Sequence, residues 1–548
     1  MGEVINRYLN RIKAKINKIA GLDWVGKLDD IQNNINLMEK MVSPKKIRIL
    51  MGPSFVSLGQ AFALDRSLSM AFQLRGIEVI PIYCDSIQNE VCQFVGGDWN
   101  EKGKFARDCR TCKKTSEKLW KNNQNKPLQF SKYLTSDDIE RIGEEVSVLK
   151  LIDVLSYERS GIAYGAMAKD ILINKYLVSN HTLIENHVHL MKVHLQNLLM
   201  VSLVYERILD EKKPDRVVAH DSYYGMLALL ELHCRSRSIP FYSHWPVTKN
   251  RVAFAFNDAA MNLDFTKSWG EFSKIELTSE DYILLNKWFK GDRAGFIDTT
   301  KLAGHEVDDH ALDNINPLKP TIVLAGNVIW DLCTLNKDII FKDMISWIAE
   351  TIEWFRINSE YQLIIRPHPA ETSPIIPKTR ETIEAALHLL GTDIPENVFL
   401  LKSDAKVTIK DLIKSYDIRG FAVYTTTVGF EYAALGFHVI TTGKSCFRGF
   451  GFTTDPVTKQ EYFTALENLL VNNKMFLPES NQILAKKFIK FYWFHYYSNI
   501  GLFSGDPPVL AANYLELLQS EQGPFSYIVN SIIDGVPING ENRWIPVS

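Results

Sequence analysis

The segment "KKIRILMGPSFVSLGQAFALDRSLSMAFQLRGIEVIPIYC", from Lys45 to Cys84, constrains the fold more than any other. It reads as a strand (Ile47 to Met51), a glycine-containing loop, an apolar helix and a second strand (Val79 to Tyr83). Strands joined through a helix over this length lie parallel in one sheet. A parallel sheet needs helices on both faces, so the chain is expected to be α/β and doubly wound. The pattern recurs in "PDRVVAHDSYYGMLALLELHCRSRSIPFYSHWP", where Val217 to His220 and Phe241 to His244 flank another helix. After a polar connector around Lys290 to Pro320 it restarts, with strands in "TIVLAGN", "YQLIIRP", "VFLL", "FAVYT" and "HVITTG".

A chain of 548 residues is too long for one core. The pattern divides it into a helical extension (1–45), a Rossmann-like domain (46–300) with a cysteine-bearing insert (84–112), a second Rossmann-like domain (301–470) and a C-terminal helical region (471–548). The aromatic run "FIKFYWFHYYSNIGLF" in that last region is expected to pack across the domains. A net charge of −2 gives no basic face for nucleic acid. No apolar run reaches the roughly 18 residues of a membrane span, and the first residues lack a secretory core, which points to the cytoplasm. Ile5, Leu9, Ile12, Ile16 and Ile19 recur at helical spacing among Arg and Lys. Such a helix fits peripheral contact with the inner face of an anionic membrane, but its narrow stripe favours packing on protein.

Four cysteines, Cys84, Cys92, Cys109 and Cys112, fall in the insert, the last two as C-x-x-C. Four thiolates fit a structural zinc site, with free buried thiols as the rival.

The stretch "LIIRPHPAET" runs a buried strand into Arg366 and His368, each followed by proline. The prolines stiffen the exit, and open α/β sheets bind ligands at strand carboxyl ends. Arg366 offers a fork for phosphate and His368 a hydrogen bond or a proton. Downstream, "AVYTTTVGFEYAALG" leads a strand into Thr425, Thr426, Thr427 and Gly429, then a helix carrying Glu431. Hydroxyls and free N–H groups there fit an anion, and Glu431 fits ribose hydroxyls; the alternative is a plainly capped helix.

Together "NVIWD", "IIRPHPAE", "TTTVGFEYAALG" and "CFRGFGFTTDP" resemble capsule and surface-polysaccharide biosynthesis proteins, which are similar to bacterial GT-B glycosyltransferases including β-Kdo transferases. The arginine-histidine-proline element also resembles that of polysialyltransferases and polyol-phosphate transferases of teichoic-acid assembly. The resemblance is strongest over Thr321 to Pro456, with weaker echoes in "YERSGIAYGAMAKD" and "AHDSYYG". It implies two facing Rossmann-like domains, with a nucleotide-sugar donor on the C-terminal one and a saccharide or lipid-linked acceptor on the N-terminal one. It also implies chemistry that needs no metal. Carried over by motif, Arg366, His368, Thr425, Thr426, Thr427 and Gly429 cradle the donor phosphate and Glu431 holds the ribose. Asn327, Glu371 and Asp455 complete the donor set.

Glycosyl transfer also needs a base for the acceptor hydroxyl. His220 and Asp221 follow a strand, with Glu158 and His244 as further candidates. The reading is a glycosyltransferase using a CMP- or UDP-linked donor. A CDP-polyol phosphotransferase, a sugar-nucleotide epimerase and a non-catalytic assembly subunit are the alternatives.

Overall fold

The computed structural model describes residues 23–38, 42–54, 59–88, 91–93, 104–120, 122–123, 125–179, 187–223, 225–248, 251–291, 310–331, 334–372, 379–472, 476–505 and 507–538. The basic amphipathic segment at the N-terminus and residues 55–58 of the first glycine loop lie outside them. The chain forms two units, one of residues 1–168, 189–262 and 496–548, the other of 169–188 and 263–495. Each is assembled from separated segments, so the boundaries differ from those expected at 300 and 470. Residues 263–300 and the helix Glu479–Lys490 belong to the second unit, and residues from 496 onward to the first.

The first unit holds β1 (Arg48–Met51), β2 (Glu78–Tyr83), β3 (Leu128–Gln129), β4 (Arg216–His220), β5 (Phe241–Thr248) and β6 (Arg251–Phe256). A short strand β12 (Ser498–Asn499) joins them. The sheet order is β12-β6-β5-β4-β1-β2-β3. β1 pairs parallel with both β2 and β4, and β5 continues parallel beside β4. β6 and β12 run antiparallel at the far edge. The order 3-2-1-4-5 around β1 is that of a Rossmann sheet. The helix Gly59–Gln73 after β1 is buried almost throughout, and Phe62, Leu64, Leu68 and Phe72 share a core with Ile528, Val529 and Ile532. Gly52, directly after β1, has φ +106°, and a Cβ there would sit 2.7 Å from the Ile82 carbonyl oxygen. Only glycine makes that turn without strain.

The second unit has β7 (Thr321–Ala325), β8 (Gln362–Arg366), β9 (Val398–Leu400), β10 (Ile418–Val423) and β11 (Val439–Thr441). Their order is β11-β10-β7-β8-β9, all parallel. With β7 counted first this again is 3-2-1-4-5, so the expected α/β class with two Rossmann-like sheets is the observed one. Asp343 accepts the Ser346 N–H at 2.8 Å and starts the helix Met344–Ile357. That helix lays Trp347, Ile348, Ile352 and Phe355 onto Ile322, Leu324, Leu363 and Ile365 of the sheet. Phe488 and Tyr492 of the aromatic run pack within this unit: Phe488 lies 5.2 Å from Phe430 and 5.3 Å from Trp269 between ring centres, and Tyr492 5.4 Å from Phe430. These two residues back the helix Val428–Ala434, while the run from Tyr496 onward belongs to the first unit, where Ile500, Leu502 and Phe503 join its core.

Gly429 lies in that helix, where a Cβ would stand 2.7 Å from Phe447 Cζ and 3.1 Å from Val423 Cγ2. Gly429→Ala is expected to destabilise the second unit by about 1–3 kcal/mol through overpacking. The measurement is the urea midpoint of its unfolding transition; an unchanged midpoint would refute this packing.

Candidate functional site

In the second unit the strand order reverses between β7 and β10, so their carboxyl ends open a crevice. Asn327, just after β7, is buried, and its Oδ1 accepts the Thr425 N–H at 3.2 Å across that gap. Thr425 and Thr426 are buried, and Thr427 is half-buried at the start of the helix Val428–Ala434 without capping it. That helix is seven residues long, so the strand ends rather than a helix dipole define this place. Glu431 receives the Trp288 indole N–H at 3.4 Å.

His368 follows β8 and is half-buried. The Ala370 N–H donates to its Nδ1 at 3.1 Å, so the neutral ring carries its proton on Nε2. Burial, aided by the Arg366 charge, pushes the imidazole down to about 4. At neutral pH His368 is therefore a fixed hydrogen-bond donor and not an acid.

Three donor candidates serve the framework instead. Arg366 was expected on phosphate, yet its guanidinium donates to the carbonyls of Lys402 (2.8 Å), Ser403 (3.2 Å) and Ala405 (3.3 Å). It ties the loop after β9 to the end of β8. Glu371 is buried, and its carboxyl accepts the Ile383 N–H at 3.1 Å, anchoring the start of the helix Ile383–Leu389. Asp455 accepts from the hydroxyls of Thr441 (2.6 Å) and Thr453 (2.8 Å) and from the Gly449 N–H (2.7 Å), which shapes the loop of "GFGFTTDP".

The first unit has its own switch point at the ends of β1 and β4. His220 and His244 are register partners on β4 and β5, their ring centres 5.7 Å apart. His220 also stacks on Trp245 at 4.8 Å. His244 Nε2 donates to Asp65 Oδ1 at 2.7 Å, and Ser54 donates its hydroxyl to the other Asp65 oxygen. Both ring nitrogens of His220 and Nδ1 of His244 are buried without a hydrogen-bond partner among the described residues. Burial, then His244, holds the His220 imidazole well below its ordinary range. Burial pushes the Asp221 carboxyl up to about 6 against backbone N–H groups of Met261, Tyr223 and Ser222. Glu158, by contrast, is exposed, and among the described residues no hydrogen bond joins it to Asp221 or His220.

Asp65 and Ser54 escaped sequence reasoning. The available signal was an Asp65–Arg66 pair inside the apolar run "AFALDRSLSMAF", since charges there must find buried partners. Of the four cysteines expected to hold zinc, Cys109 and Cys112 lie one turn apart on the helix Lys104–Leu119. Among the described residues no three His, Cys, Asp or Glu side chains are placed to hold one metal ion.

No family model and no curated protein sequence matches the chain. Among solved structures it is similar to the KpsC β-Kdo 2,4 transferase of Thermosulfurimonas dismutans, at 14% identity and TM-score 0.33, covering 56% of this chain and 88% of that one. The 2,7 transferase of the same organism gives 14% and 0.30 over 58% and 88%. The UDP-GlcNAc 2-epimerase of Methanocaldococcus jannaschii gives 12% and 0.24 over 81% and 98%. Overlaps this loose carry no argument, and the fold description rests on the two strand orders.

Glu371 gives a pH prediction. Its carboxyl is raised by burial from 4.5 to about 8, so between those values the folded chain keeps a proton that the unfolded chain has lost. Stability then falls as pH rises through this window, by up to about 1.4 kcal/mol per pH unit from this group. Glu371→Gln keeps the acceptor and removes the titration. Its melting temperature relative to wild type should rise from pH 5 to pH 8, and parallel curves would refute the assignment.

Proposed function

We propose that the protein is a glycosyltransferase that moves a sugar from a CMP- or UDP-linked donor to a saccharide or lipid-linked saccharide acceptor of surface-polysaccharide assembly. One observation carries this reading: a neutral histidine, its proton fixed on Nε2, at the carboxyl end of a strand beside the switch point of a parallel sheet. Such a donor suits a phosphate oxygen whose negative charge grows as the glycosidic bond breaks. The buried threonines and Asn327 fit the same nucleotide, and Glu431 fits its ribose.

The acceptor hydroxyl must lose a proton as its oxygen bonds the anomeric carbon and the nucleotide phosphate leaves with the bonding electrons. We assign that proton to the cluster of the first unit. Asp221, raised toward neutrality, is a competent base, and Asp65 holds His244 in the tautomer whose Nδ1 bears the lone pair. The "YERSG" Glu158 stays a candidate only by its motif.

Thermal-shift titration with CMP, UDP, CDP and GDP tests the reading on wild type and His368→Ala. One nucleotide should stabilise wild type, with its affinity at least about tenfold lower in the variant, a loss of roughly 1.4 kcal/mol. A folded protein that none of the four stabilises, or a variant that responds like wild type, would overturn it. A preference for CDP would favour the polyol-phosphate alternative.

A further inference from the structure

Away from its strand ends, the first unit carries a half-open cavity of about 360 Å³. One wall is the turn after Glu158, where Arg159, Ser160 and Gly161 lead to Tyr164; the others come from the helices Val188–Lys212, Gly225–Ser236 and Ser136–Ser147. The volume lies at the lower end of the roughly 300–1,000 Å³ of small-molecule sites.

The polar groups on these walls define what would fit. A buried chain runs from Tyr164 Oη to Ser202 Oγ at 2.6 Å and on to His233 Nε2 at 2.7 Å. Burial and the Arg237 charge push His233 down to about 4, so the chain is neutral. Three of the four lining arginines are balanced by carboxylates: Arg159 by Glu145, Arg235 by Glu231 at 2.6 Å and Arg237 by Asp210 at 3.0 Å. Arg141 lies 3.5 Å from Asp138, whose oxygens Arg207 takes at 2.6 and 3.0 Å, and its charge also acts on Glu145. On the helix Val188–Lys212, the half-buried Glu206 carboxylate lines the cavity and makes no hydrogen bond among the described residues. Arg141 and Glu206 thus offer a donor and an acceptor that do not bridge each other.

A phosphate would meet the Glu206 charge, and a cation would meet the arginines. A neutral ligand that both donates and accepts hydrogen bonds satisfies every group, and the leucine and isoleucine lining suits the C–H face of a pyranose ring. We propose that this cavity is a saccharide-binding site, one that grips sugar residues taking no part in bond breaking. It needs no donor nucleotide, so it stands or falls apart from the transferase reading.

Saturation-transfer NMR on the full chain tests it with methyl α-D-glucoside, methyl β-D-galactoside, methyl α-D-mannoside and N-acetylglucosamine. Inorganic phosphate, followed by phosphorus line broadening, is the contrasting probe. At least one glycoside should receive saturation, and Glu206→Ala and Arg141→Ala should each weaken its affinity by about fivefold or more. Both side chains reach the surface, so the variants should melt like wild type. His368→Ala should leave the glycoside signal unchanged even where it abolishes nucleotide binding, which separates the two sites. No glycoside signal, a signal indifferent to both wall variants, or phosphate binding alone would each overturn the proposal.

Discussion

When consecutive parallel strands send their crossover helices to opposite faces of a sheet, the gap at their carboxyl ends stays uncovered, and both histidine sites of this protein are arranged around two such gaps. In one unit the gap lies between β1 and β4, in the other between β7 and β10. The strands supply backbone groups that cannot pair beyond the sheet, so side chains and loops at those ends must satisfy them. Asn327 does so by taking the Thr425 N–H across the second gap. At the first, Gly52 turns the chain where no Cβ fits and leads to Ser54, which binds Asp65.

The same constraint explains which parts were legible in the sequence. Continuous apolar runs such as Leu363 to Ile365 and Phe421 to Val423 announce strands buried on both faces, and both lie in the all-parallel sheet. The place of His368 at a strand end was legible because proline on either side leaves it little freedom there. The carbonyl bonds of Arg366 were not legible, for a reason the motif cannot contain. Its partners are carbonyls at 402–405, some 36 residues onward, which only the pairing of β8 with β9 brings near. The bond of the Glu371 carboxyl was illegible in the same way, since the N–H it accepts belongs to Ile383. Nor did the helical setting of Cys109 and Cys112 show in a C-x-x-C spacing.

Unit boundaries were less legible still. A chain that leaves a unit and returns carries no composition shift at the crossing. Residues 263–300 look like a continuation of the first domain, yet Phe265, Trp269 and Phe272 find their aromatic partners in Phe488 and Phe491 of the second. Conversely, the strand β12 pairs with β6 over only two residues, too few to register as a strand in sequence.

The two gaps differ in chemistry as well as in sequence. At the second, burial and the neighbouring guanidinium keep His368 neutral, and a backbone N–H claims its lone pair, so what remains is a donor. At the first, Asp65 takes the His244 proton position, while Nδ1 of that ring and both nitrogens of His220 lack partners among the described residues. Buried polar nitrogens left unmet are costly, on the order of 1–3 kcal/mol each. A fold retains such groups when something else meets them, whether ordered water or a bound hydroxyl. A donor-rich gap suits an anion and an acceptor-rich one suits a hydroxyl. Each pattern follows from a tautomer, set at one gap by a backbone N–H and at the other by a buried carboxylate.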